Sequence, residues 1–297
     1  MVGQKNLCIT SKSLTNKNGH DKSCAGRVQK VSNHAHKIVM YSMATHQSLK
    51  GDIMAGTDGI AHPDDLFERI RTICRGKPRV AILMSGTGSN ARKILEERYR
   101  YDNLNFVVVA TDNIESQASL IATQYGLSFI FTKQHDDSPP RRRSFFYDLS
   151  SKLRYLRVDF IVYAGFMKIV PKDFLTEFPG INIHPADLTI VNDQRQPTYI
   201  GREAVACAVK AGESYIASSV HVVEEAVDSG IIIAVSKHVP LLLKGHRDLR
   251  ELQEQLKHTG EHTLYPQVLA LLAQGKITRN MLPLQAEYQY LNALFYS

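Results

Sequence analysis

Cysteine pairs and long apolar runs are both missing from this sequence. The 297 residues include four cysteines, without a C-x-x-C motif: Cys8, Cys24, Cys74 and Cys207. This spacing argues against a disulfide framework and a structural zinc site and fits a reducing compartment, so we predict a cytoplasmic protein without a metal. No run approaches the eighteen or so apolar residues that a membrane span needs, and no signal-peptide core is present.

An excess of one charge is also missing from most of the chain. The formal net charge is +7, from 36 basic and 29 acidic residues, but residues 1–50 hold eight basic residues and one acidic residue. The rest of the chain therefore carries 28 of each and is formally neutral. A neutral domain lacks the basic surface that nucleic-acid binding requires, so we expect small-molecule partners, no nucleic acid and no membrane.

The two ends of the chain differ from its middle. Residues 1–60 are polar and lack hydrophobic periodicity, which predicts a disordered tail or a start codon assigned too far upstream, and their acid-poor composition also fits a transit peptide. Residues 61–78 are predicted as a helical lead-in, with a helix over Asp64–Arg75, and residues 79–280 as the main domain. In the C-terminal extension, 281–297, the aromatic stripe Tyr288–Tyr296 fits packing on the domain or a homodimer contact.

Short apolar segments alternate with helical patterns from residue 79 onward. The apolar segments predict buried strands at Val80–Ser85, Phe106–Thr111, Ser128–Thr132, Asp159–Ala164, Ile181–His184, Ser218–Val223 and Ile231–Val239. Apolar residues three and four apart predict helices at Asn90–Tyr99, Ser116–Tyr125 and Arg142–Leu156. This alternation predicts an α/β fold with a doubly wound, mostly parallel sheet, on which ligands bind beyond the carboxyl ends of the strands.

The first predicted strand ends in a glycine-rich loop, Ser85–Asn90. Gly86 and Gly88 allow a sharp turn, and the N-terminus of the following helix offers free N–H groups, an arrangement that suits a phosphate. The loop lacks the lysine and the spacing of a Walker P-loop, and Ala91 stands where the dinucleotide-binding fingerprint has its third glycine. A plain tight turn between strand and helix is the alternative.

Asn182 and His184 stand at the end of the fifth predicted strand, on one face because side chains alternate along a strand. An amide and a protonated imidazole can both donate to one oxyanion, and a nearby carboxylate would favour the charged imidazole. Asp228, in a turn before another apolar strand, is a candidate for that carboxylate. The alternatives are a strand-end histidine that serves structure and an aspartate that serves its turn.

Six segments resemble those of one enzyme family, in the same order. They are S-G-x-G-S-N at Ser85–Asn90, A-G-F-M at Ala164–Met167, N-I-H-P at Asn182–Pro185, S-V-H-x-V at Ser219–Val223, D-x-G at Asp228–Gly230 and E-H-x-x-Y-P at Glu261–Pro266. Together they resemble the glycinamide ribonucleotide formyltransferases, which are folate-dependent enzymes of purine synthesis, over about residues 79–276.

The resemblance implies a role for each segment. Asn182, His184 and Asp228 would be catalytic, and Glu261 would bind the sugar of the acceptor. The acceptor's phosphate would lie on the loop residues Gly86, Thr87, Gly88, Ser89 and Asn90. The co-substrate, 10-formyltetrahydrofolate, would lie along Met167, Lys168, Ile169 and Val170, with its glutamate tail near Arg142. The resemblance calls for no metal.

The segment after His184 departs from the family pattern. Family members continue H-P-S-L-L-P and later have a glycine followed by histidines, whereas this chain has Asp187 in the first stretch and Arg202-Glu203 after the glycine. Lys168 stands where an arginine is common. We predict that Asp187 and Asn192–Arg195 form a solvated surface loop, and the alternative is that they select a different acceptor.

Other functions stay open beside formyl transfer to glycinamide ribonucleotide. A formyltransferase acting on an amino-sugar nucleotide would use the same phosphate loop. A formyltetrahydrofolate deformylase would carry an additional N-terminal βαββαβ domain and lack the S-G-x-G-S-N loop. A methionyl-tRNA formyltransferase would need a C-terminal domain and a basic surface. A folate- or nucleotide-binding module without activity is the non-enzymatic alternative.

Overall fold

Strands and helices alternate along the chain in a computed structural model that describes residues 65–133, 138–241 and 248–286. The strands are β1 (Arg79–Leu83), β2 (Asn105–Thr111), β3 (Ser128–Phe131), β4 (Phe160–Tyr163), β5 (Gly180–His184), β6 (Tyr215–Ile216), β7 (Ser219–Val222), β8 (Ile232–Val235), β9 (Val239–Pro240) and β10 (Leu284–Gln285). The α-helices are α1 (Leu66–Arg75), α2 (Ser89–Glu96), α3 (Ala118–Tyr125), α4 (Pro139–Tyr155), α5 (Lys172–Glu177), α6 (Ala204–Ala211), α7 (Leu249–Leu256) and α8 (His262–Ala273). A π-helical turn, Lys257–Glu261, joins α7 to α8, and short 3₁₀ turns span Arg98–Tyr101 and Arg279–Met281.

Within the described ranges, eight strands form one sheet in the order β10-β8-β7-β5-β4-β1-β2-β3. Its pairs are parallel except that β7 runs antiparallel to both β5 and β8. The prediction of a doubly wound, mostly parallel sheet is therefore confirmed. The strand order reverses between β1 and β4, and this crevice is where open α/β sheets bind ligands.

One predicted strand and several predicted boundaries were wrong. The segment Ile231–Val239 is not one strand, because it divides into β8 in the main sheet and β9, which pairs with β6. Between them the Ser236 hydroxyl accepts a hydrogen bond from the N–H of Ser218 and donates one to the carbonyl of Lys237, which ends the ladder. Helix α4 begins at Pro139, since proline fits the first turn of a helix.

Other helix ends also follow local hydrogen bonds. Helix α1 starts at Leu66 because the Asp65 carboxylate accepts from the N–H groups of Phe67 and Glu68, at 3.1 and 3.3 Å. Helix α2 ends at Glu96, and the predicted remainder becomes a 3₁₀ turn. Each of these corrections moves a boundary by three residues or fewer and leaves the element in place.

Strand alternation distributes the core over both faces of the sheet. Along β1, Val80 and Ile82 join the cluster under α1, α2, α3 and α8, whereas Ala81 and Leu83 join the cluster under α4 and α5. A third cluster packs α6 and α7 against the segment after β5 and includes Ala186 and Tyr199. Both faces of the central strands are therefore buried, and polar groups collect at the strand ends.

Several predictions fall on residues that the structure does not describe. The tail at 1–60 and the aromatic stripe Tyr288–Tyr296 lie outside the described residues, and the domain limits at 61–78, 79–280 and 281–297 stay predictions. No helix in the described part of the chain combines the length and the apolar character that crossing a membrane requires.

Candidate active site

Asn182 and His184 lie near the carboxyl end of β5 on the same face of the strand. Ile183, between them, points into the core on the other face. In the cross-strand register Asn182 stands opposite Tyr163 of β4 and His221 of β7. These residues form a row across three strands, with His184 one pleat further along β5.

His184 is buried between two hydrogen-bond acceptors. Its Nε2 lies 2.8 Å from the carbonyl oxygen of Tyr199, and its Nδ1 lies 3.3 Å from Oδ2 of Asp228. A carbonyl can only accept, so Nε2 carries a proton, and the carboxylate favours a second proton on Nδ1. The structure therefore brings His184 and Asp228 together, as the pairing predicted from sequence requires.

Burial and charge act against each other on this pair. Burial lowers the pKa of His184 below its ordinary value overall, although the Asp228 carboxylate and the Tyr199 carbonyl act in the opposite direction. Burial alone would raise the pKa of Asp228, but its contacts with His221 and His184 and the N–H of Gly201 lower it overall. Asp228 is thus an ionised carboxylate at neutral pH, beside an imidazole whose charged form it favours.

His221 belongs to the same group, although the sequence analysis gave it no role. Its Nε2 lies 3.2 Å from Nδ2 of Asn182 and 3.5 Å from Oδ1 of Asp228, and its Nδ1 lies 2.8 Å from the carbonyl oxygen of Val222. Because that carbonyl takes the Nδ1 proton, Nε2 is the ring nitrogen that faces both the Asn182 amide and the Asp228 carboxylate. The S-V-H-x-V segment contained the signal, but only the antiparallel register reveals the partner.

A strained turn brings Asp228 to this position. Its φ of 52° lies in the left-handed region, which residues other than glycine rarely adopt, and its Oδ2 accepts a hydrogen bond of 2.8 Å from the N–H of Gly201. Two residues later, a Cβ on Gly230 would stand 2.0 Å from the carbonyl oxygen of Val222. The D-x-G segment is thus a tight turn packed on β7, which holds the carboxylate beside both histidines.

A cavity of about 550 Å³ opens beside these groups. Its wall includes the three predicted catalytic residues and the segment Gly165–Val170, which follows β4 and contains all four residues predicted along the folate. Met167 and Ile169 expose about half of their surfaces, 52% and 49%, and therefore offer apolar area to a ligand. Arg142, near the start of α4, is not among the lining residues that the structure describes.

The glycine-rich loop lies at the end of β1, beside the crevice between β1 and β4. Gly88 has a φ of 72°, and a Cβ there would stand 2.5 Å from Cδ1 of Ile121. Ser89 begins α2 directly after this turn, so the first N–H groups of the helix face the loop. Gly86 and Thr87 are exposed at its tip. The loop therefore has the backbone arrangement that suits a phosphate.

Glu261 contacts this loop from the π-helical turn. Its Oε2 accepts a hydrogen bond of 2.6 Å from Nδ2 of Asn90, and both side chains are buried. Burial raises the pKa of Glu261, and the contact with Asn90 offsets part of that effect. Oδ1 of Asn90 is buried without a partner among the described residues. The structure thus brings the predicted phosphate and sugar residues together, with polar capacity left for a ligand.

The segment after His184 is only partly the solvated loop that was predicted. Asn192–Arg195 is exposed, which confirms that part. Asp187 is 5% exposed, which corrects the other part: its Oδ1 accepts from the N–H and hydroxyl of Thr189, and its Oδ2 accepts from the Tyr215 hydroxyl at 3.3 Å. Arg202 lines the cavity and donates to the carbonyl of Met167. The altered segment therefore forms part of the site.

The described ranges contain no group of three or more His, Cys, Asp or Glu side chains placed to hold a metal ion. The groups of this site can do two things. The Asn182 amide can donate to a developing oxyanion, whereas both ring nitrogens of His184 already face acceptors, so His184 can contribute the charge of its protonated form and Asp228 can stabilise that charge or hold a water. The glycine-rich loop, whose backbone suits a phosphate, lies at the same edge of the sheet, at the end of β1.

A known family covers this whole arrangement. The family described as formyl transferase matches residues 78–269, which is more than half of the chain and spans the glycine-rich loop, the cavity and Glu261. The chain belongs to the formyl transferase family. The three predicted catalytic residues and the loop glycines therefore lie inside the family's own domain, and the fold predicted from the resemblance is the one observed.

Relatives in this family have two kinds of architecture. The trifunctional purine biosynthetic protein adenosine-3 of Drosophila pseudoobscura pseudoobscura is 33% identical over 216 residues, which are 70% of this chain and 15% of that protein. The phosphoribosylglycinamide formyltransferase of Haemophilus influenzae is 30% identical over 207 residues, 67% of this chain and 89% of that protein. The matched part of the chain thus spans 15% of the trifunctional protein and most of the bacterial one.

Solved formyltransferases share the fold. The crystal structure of phosphoribosylglycinamide formyltransferase from Anaplasma phagocytophilum aligns with a TM-score of 0.57 and 30% identity, over 68% of this chain and 90% of that chain. Glycinamide ribonucleotide transformylase 1 from Symbiobacterium toebii aligns with a TM-score of 0.58 and 28% identity, over 68% and 90%.

Proposed function

We propose that this protein transfers a formyl group from 10-formyltetrahydrofolate to the amine of glycinamide ribonucleotide. The observation that carries the proposal is the arrangement of Asn182, His184 and Asp228 on the wall of a cavity, at the same edge of the sheet as the glycine-rich loop after β1, which lies two strands from β5. A formyl donor in the cavity and a phosphorylated amine on the loop would meet at these three side chains. The relatives named above, which are called phosphoribosylglycinamide formyltransferases, support this acceptor.

The chemistry of the step fits these groups. The neutral amine of the acceptor attacks the formyl carbon, a C–N bond forms, and the carbonyl oxygen becomes an oxyanion. The Asn182 amide would donate to that oxygen, and the His184 imidazole, whose charged form the Asp228 carboxylate favours, would stabilise its negative charge electrostatically. The proton lost by the attacking nitrogen passes to the folate nitrogen as the bond from that nitrogen to the formyl carbon breaks, and a water held by Asp228 is a route for it.

The cavity fits a folate by size and lining. Its volume of about 550 Å³ lies within the range of roughly 300–1,000 Å³ that is usual for small-molecule sites. The exposed apolar side chains of Met167 and Ile169 offer surface to a pterin ring, and the cations Lys168 and Arg202 stand on the same wall. Binding of the glutamate tail by Arg142, which is not among the described residues that line the cavity, remains part of the proposal.

A formyl-transfer assay on the purified protein tests the proposal. 10-Formyltetrahydrofolate is supplied with and without glycinamide ribonucleotide, and tetrahydrofolate and the formylated product are both measured. We expect product only when the ribonucleotide is present. Equal release of tetrahydrofolate without an acceptor would indicate a deformylase, and folate binding without turnover would indicate a binding module.

The altered segment after His184 favours one second candidate. Asp187 is buried and Arg202 stands at the cavity, where the family pattern has a different sequence. A phosphorylated amine other than glycinamide ribonucleotide, such as an amino-sugar nucleotide, would fit the same loop. Product with that class of acceptor and none with the ribonucleotide would replace our first proposal.

The cellular location stays a prediction. The cysteine pattern favours the cytoplasm, and one relative, from Vigna unguiculata, is named as chloroplastic. Expression of the full chain with a fluorescent C-terminal fusion would distinguish the two.

A further inference from the structure

The phosphate loop and the cavity wall are joined through two polar side chains, Ser85 and Asp112. Ser85 is the first residue of the loop after β1, and Asp112 follows β2. The Ser85 hydroxyl donates to Oδ1 of Asp112 at 2.5 Å and accepts a hydrogen bond of 3.0 Å from the N–H of Met167. Ser85 therefore links the loop to the segment that lines the cavity.

Backbone contacts bring the same segments together. The N–H of Ser85 donates to the carbonyl of Gly165 at 3.0 Å, and the Asn113 side chain donates to the carbonyl of Ser85 at 3.0 Å. Three strand ends, those of β1, β2 and β4, thus converge on one serine. Movement of the loop at this point would be transmitted to the segment Gly165–Met167 through the backbone N–H and the hydroxyl of Ser85.

Asp112 also pairs with a cation on the cavity wall. Its Oδ2 lies 3.5 Å from Nζ of Lys168, and the two side chains are 9% and 19% exposed. An ion pair so little exposed is screened weakly by solvent, unlike a surface pair. Lys168 stands where an arginine is common in the family. An ammonium is a compact charge without the forked geometry of a guanidinium, so it suits contact with a single carboxylate oxygen.

We infer that Asp112 is a positioning residue that couples the two substrate sites. One carboxylate orients the phosphate loop through Ser85 and the cavity segment through Lys168, so each ligand that orders its own site also orders the other. An aspartate that only stabilised the turn in which it lies would not contact both of these segments. This inference rests on the proposed function, because it assigns the two sites to the acceptor and to the folate.

Equilibrium binding tests the inference directly. Calorimetry gives the Kd of tetrahydrofolate with and without glycinamide ribonucleotide, and the ratio of the two values is the coupling factor. Linkage requires the same factor for the ribonucleotide with and without the folate. We expect a coupling of about fivefold or more in the wild-type protein and a factor close to one in Asp112→Asn.

Asp112→Asn keeps an oxygen that can accept from Ser85 and removes the charge that faces Lys168. Lys168→Met removes the same ion pair by changing its other member. It replaces Asp112→Asn in the experiment if that variant folds poorly. Asp148→Asn is the matched control, because Asp148 pairs with Lys152 at 2.7 Å on the exposed surface of α4, away from both sites. The control should retain the wild-type coupling factor.

The outcomes separate the inference from the proposed function. A wild-type protein that binds both probes, with a coupling factor that Asp112→Asn and Lys168→Met leave unchanged, overturns the inference alone. A lowered Tm in these variants with unchanged coupling also overturns it, since that result describes a structural residue. A wild-type protein that binds neither probe overturns both.

Discussion

The proposed catalytic centre and the proposed phosphate loop lie at the same edge of the sheet but are built from different groups. The catalytic centre consists of side chains from β5, β7 and the turn before β8, and these hold one another through the contacts of Asp228. The phosphate loop consists of backbone at one junction between a strand and a helix, where a glycine with φ of 72° turns the chain. The catalytic centre therefore depends on which functional groups are present, whereas the loop depends on which backbone conformations its residues allow.

The largest effect that this difference predicts is on the rate. Asp228→Asn preserves the shape of the side chain but removes the charge opposite His184, so we expect kcat to fall by about 10²- to 10³-fold. KM for the acceptor should change little, because its phosphate lies on the other site. Steady-state kinetics in both substrates, with a Tm close to that of the wild type, is the measurement. A kcat within threefold of the wild type would remove Asp228 from the mechanism.

The loop should respond to conformation. Gly88→Ala places a Cβ at a positive φ and 2.5 Å from Ile121, so we expect a loss of about 1–3 kcal/mol in the free energy of unfolding and weaker acceptor binding. Gly86→Ala is the control in the same loop, since a Cβ there meets nothing within 4 Å. Urea unfolding of both variants is the measurement. Equal losses of unfolding free energy in the two variants would show that the loop conformation does not depend on Gly88.

Glu261 combines features of both regions, because its side chain accepts a hydrogen bond from Asn90 and so supports a loop that is built from backbone. Its pKa is raised above the ordinary value of 4.5, so its contribution to stability is fully present below that value and is lost as pH rises through the folded-state pKa. Glu261→Gln can keep the hydrogen bond to Asn90 without this loss. The Tm of the variant should therefore rise relative to the Tm of the wild type as the pH increases from 5 to 8. A Tm difference that does not change with pH would contradict the raised pKa of Glu261.

The smallest effect concerns Tyr163, which stands beside Asn182 in the cross-strand row. Its hydroxyl is buried without a hydrogen-bond partner among the described residues, so Tyr163→Phe should leave the free energy of unfolding unchanged or raise it by about 1 kcal/mol. Tyr101→Phe is the contrast, because that buried hydroxyl donates to the carbonyl of Ile94 and its removal should cost about 1 kcal/mol. Equal losses in the two variants would mean that Tyr163 has a partner in solution.

The same comparison explains which parts of the site could be predicted from the sequence. The phosphate loop is local, so its glycines and the following helix could be predicted from adjacent residues. Asn182 and His184 could be placed on one face by alternation, and Asp228 by its turn. His221 could not be assigned, because its position beside Asn182 depends on the antiparallel register of β7. The burial of Asp187 was missed because its partners, Thr189 and Tyr215, include one from a distant strand.

The prediction of Ile231–Val239 as a single strand was wrong for a related reason. The run Ile231–Val239 is apolar throughout apart from Ser236, Lys237 and His238, and its division depends on hydrogen bonds between Ser236 and Ser218. Hydrophobic pattern predicts that a segment is buried, but it does not predict which sheet the segment joins.

The π-helical turn between α7 and α8 makes the position of Glu261 a matter of helical phase. A π turn contains one residue more than an α turn, and each residue of an α-helix rotates the next by about 100°. Glu261 is the last residue of this turn, so the number of residues in the turn fixes how the glutamate is placed relative to α7, while α8 begins directly after it. The length of this turn, counted in single residues, is therefore part of what holds Glu261 beside Asn90.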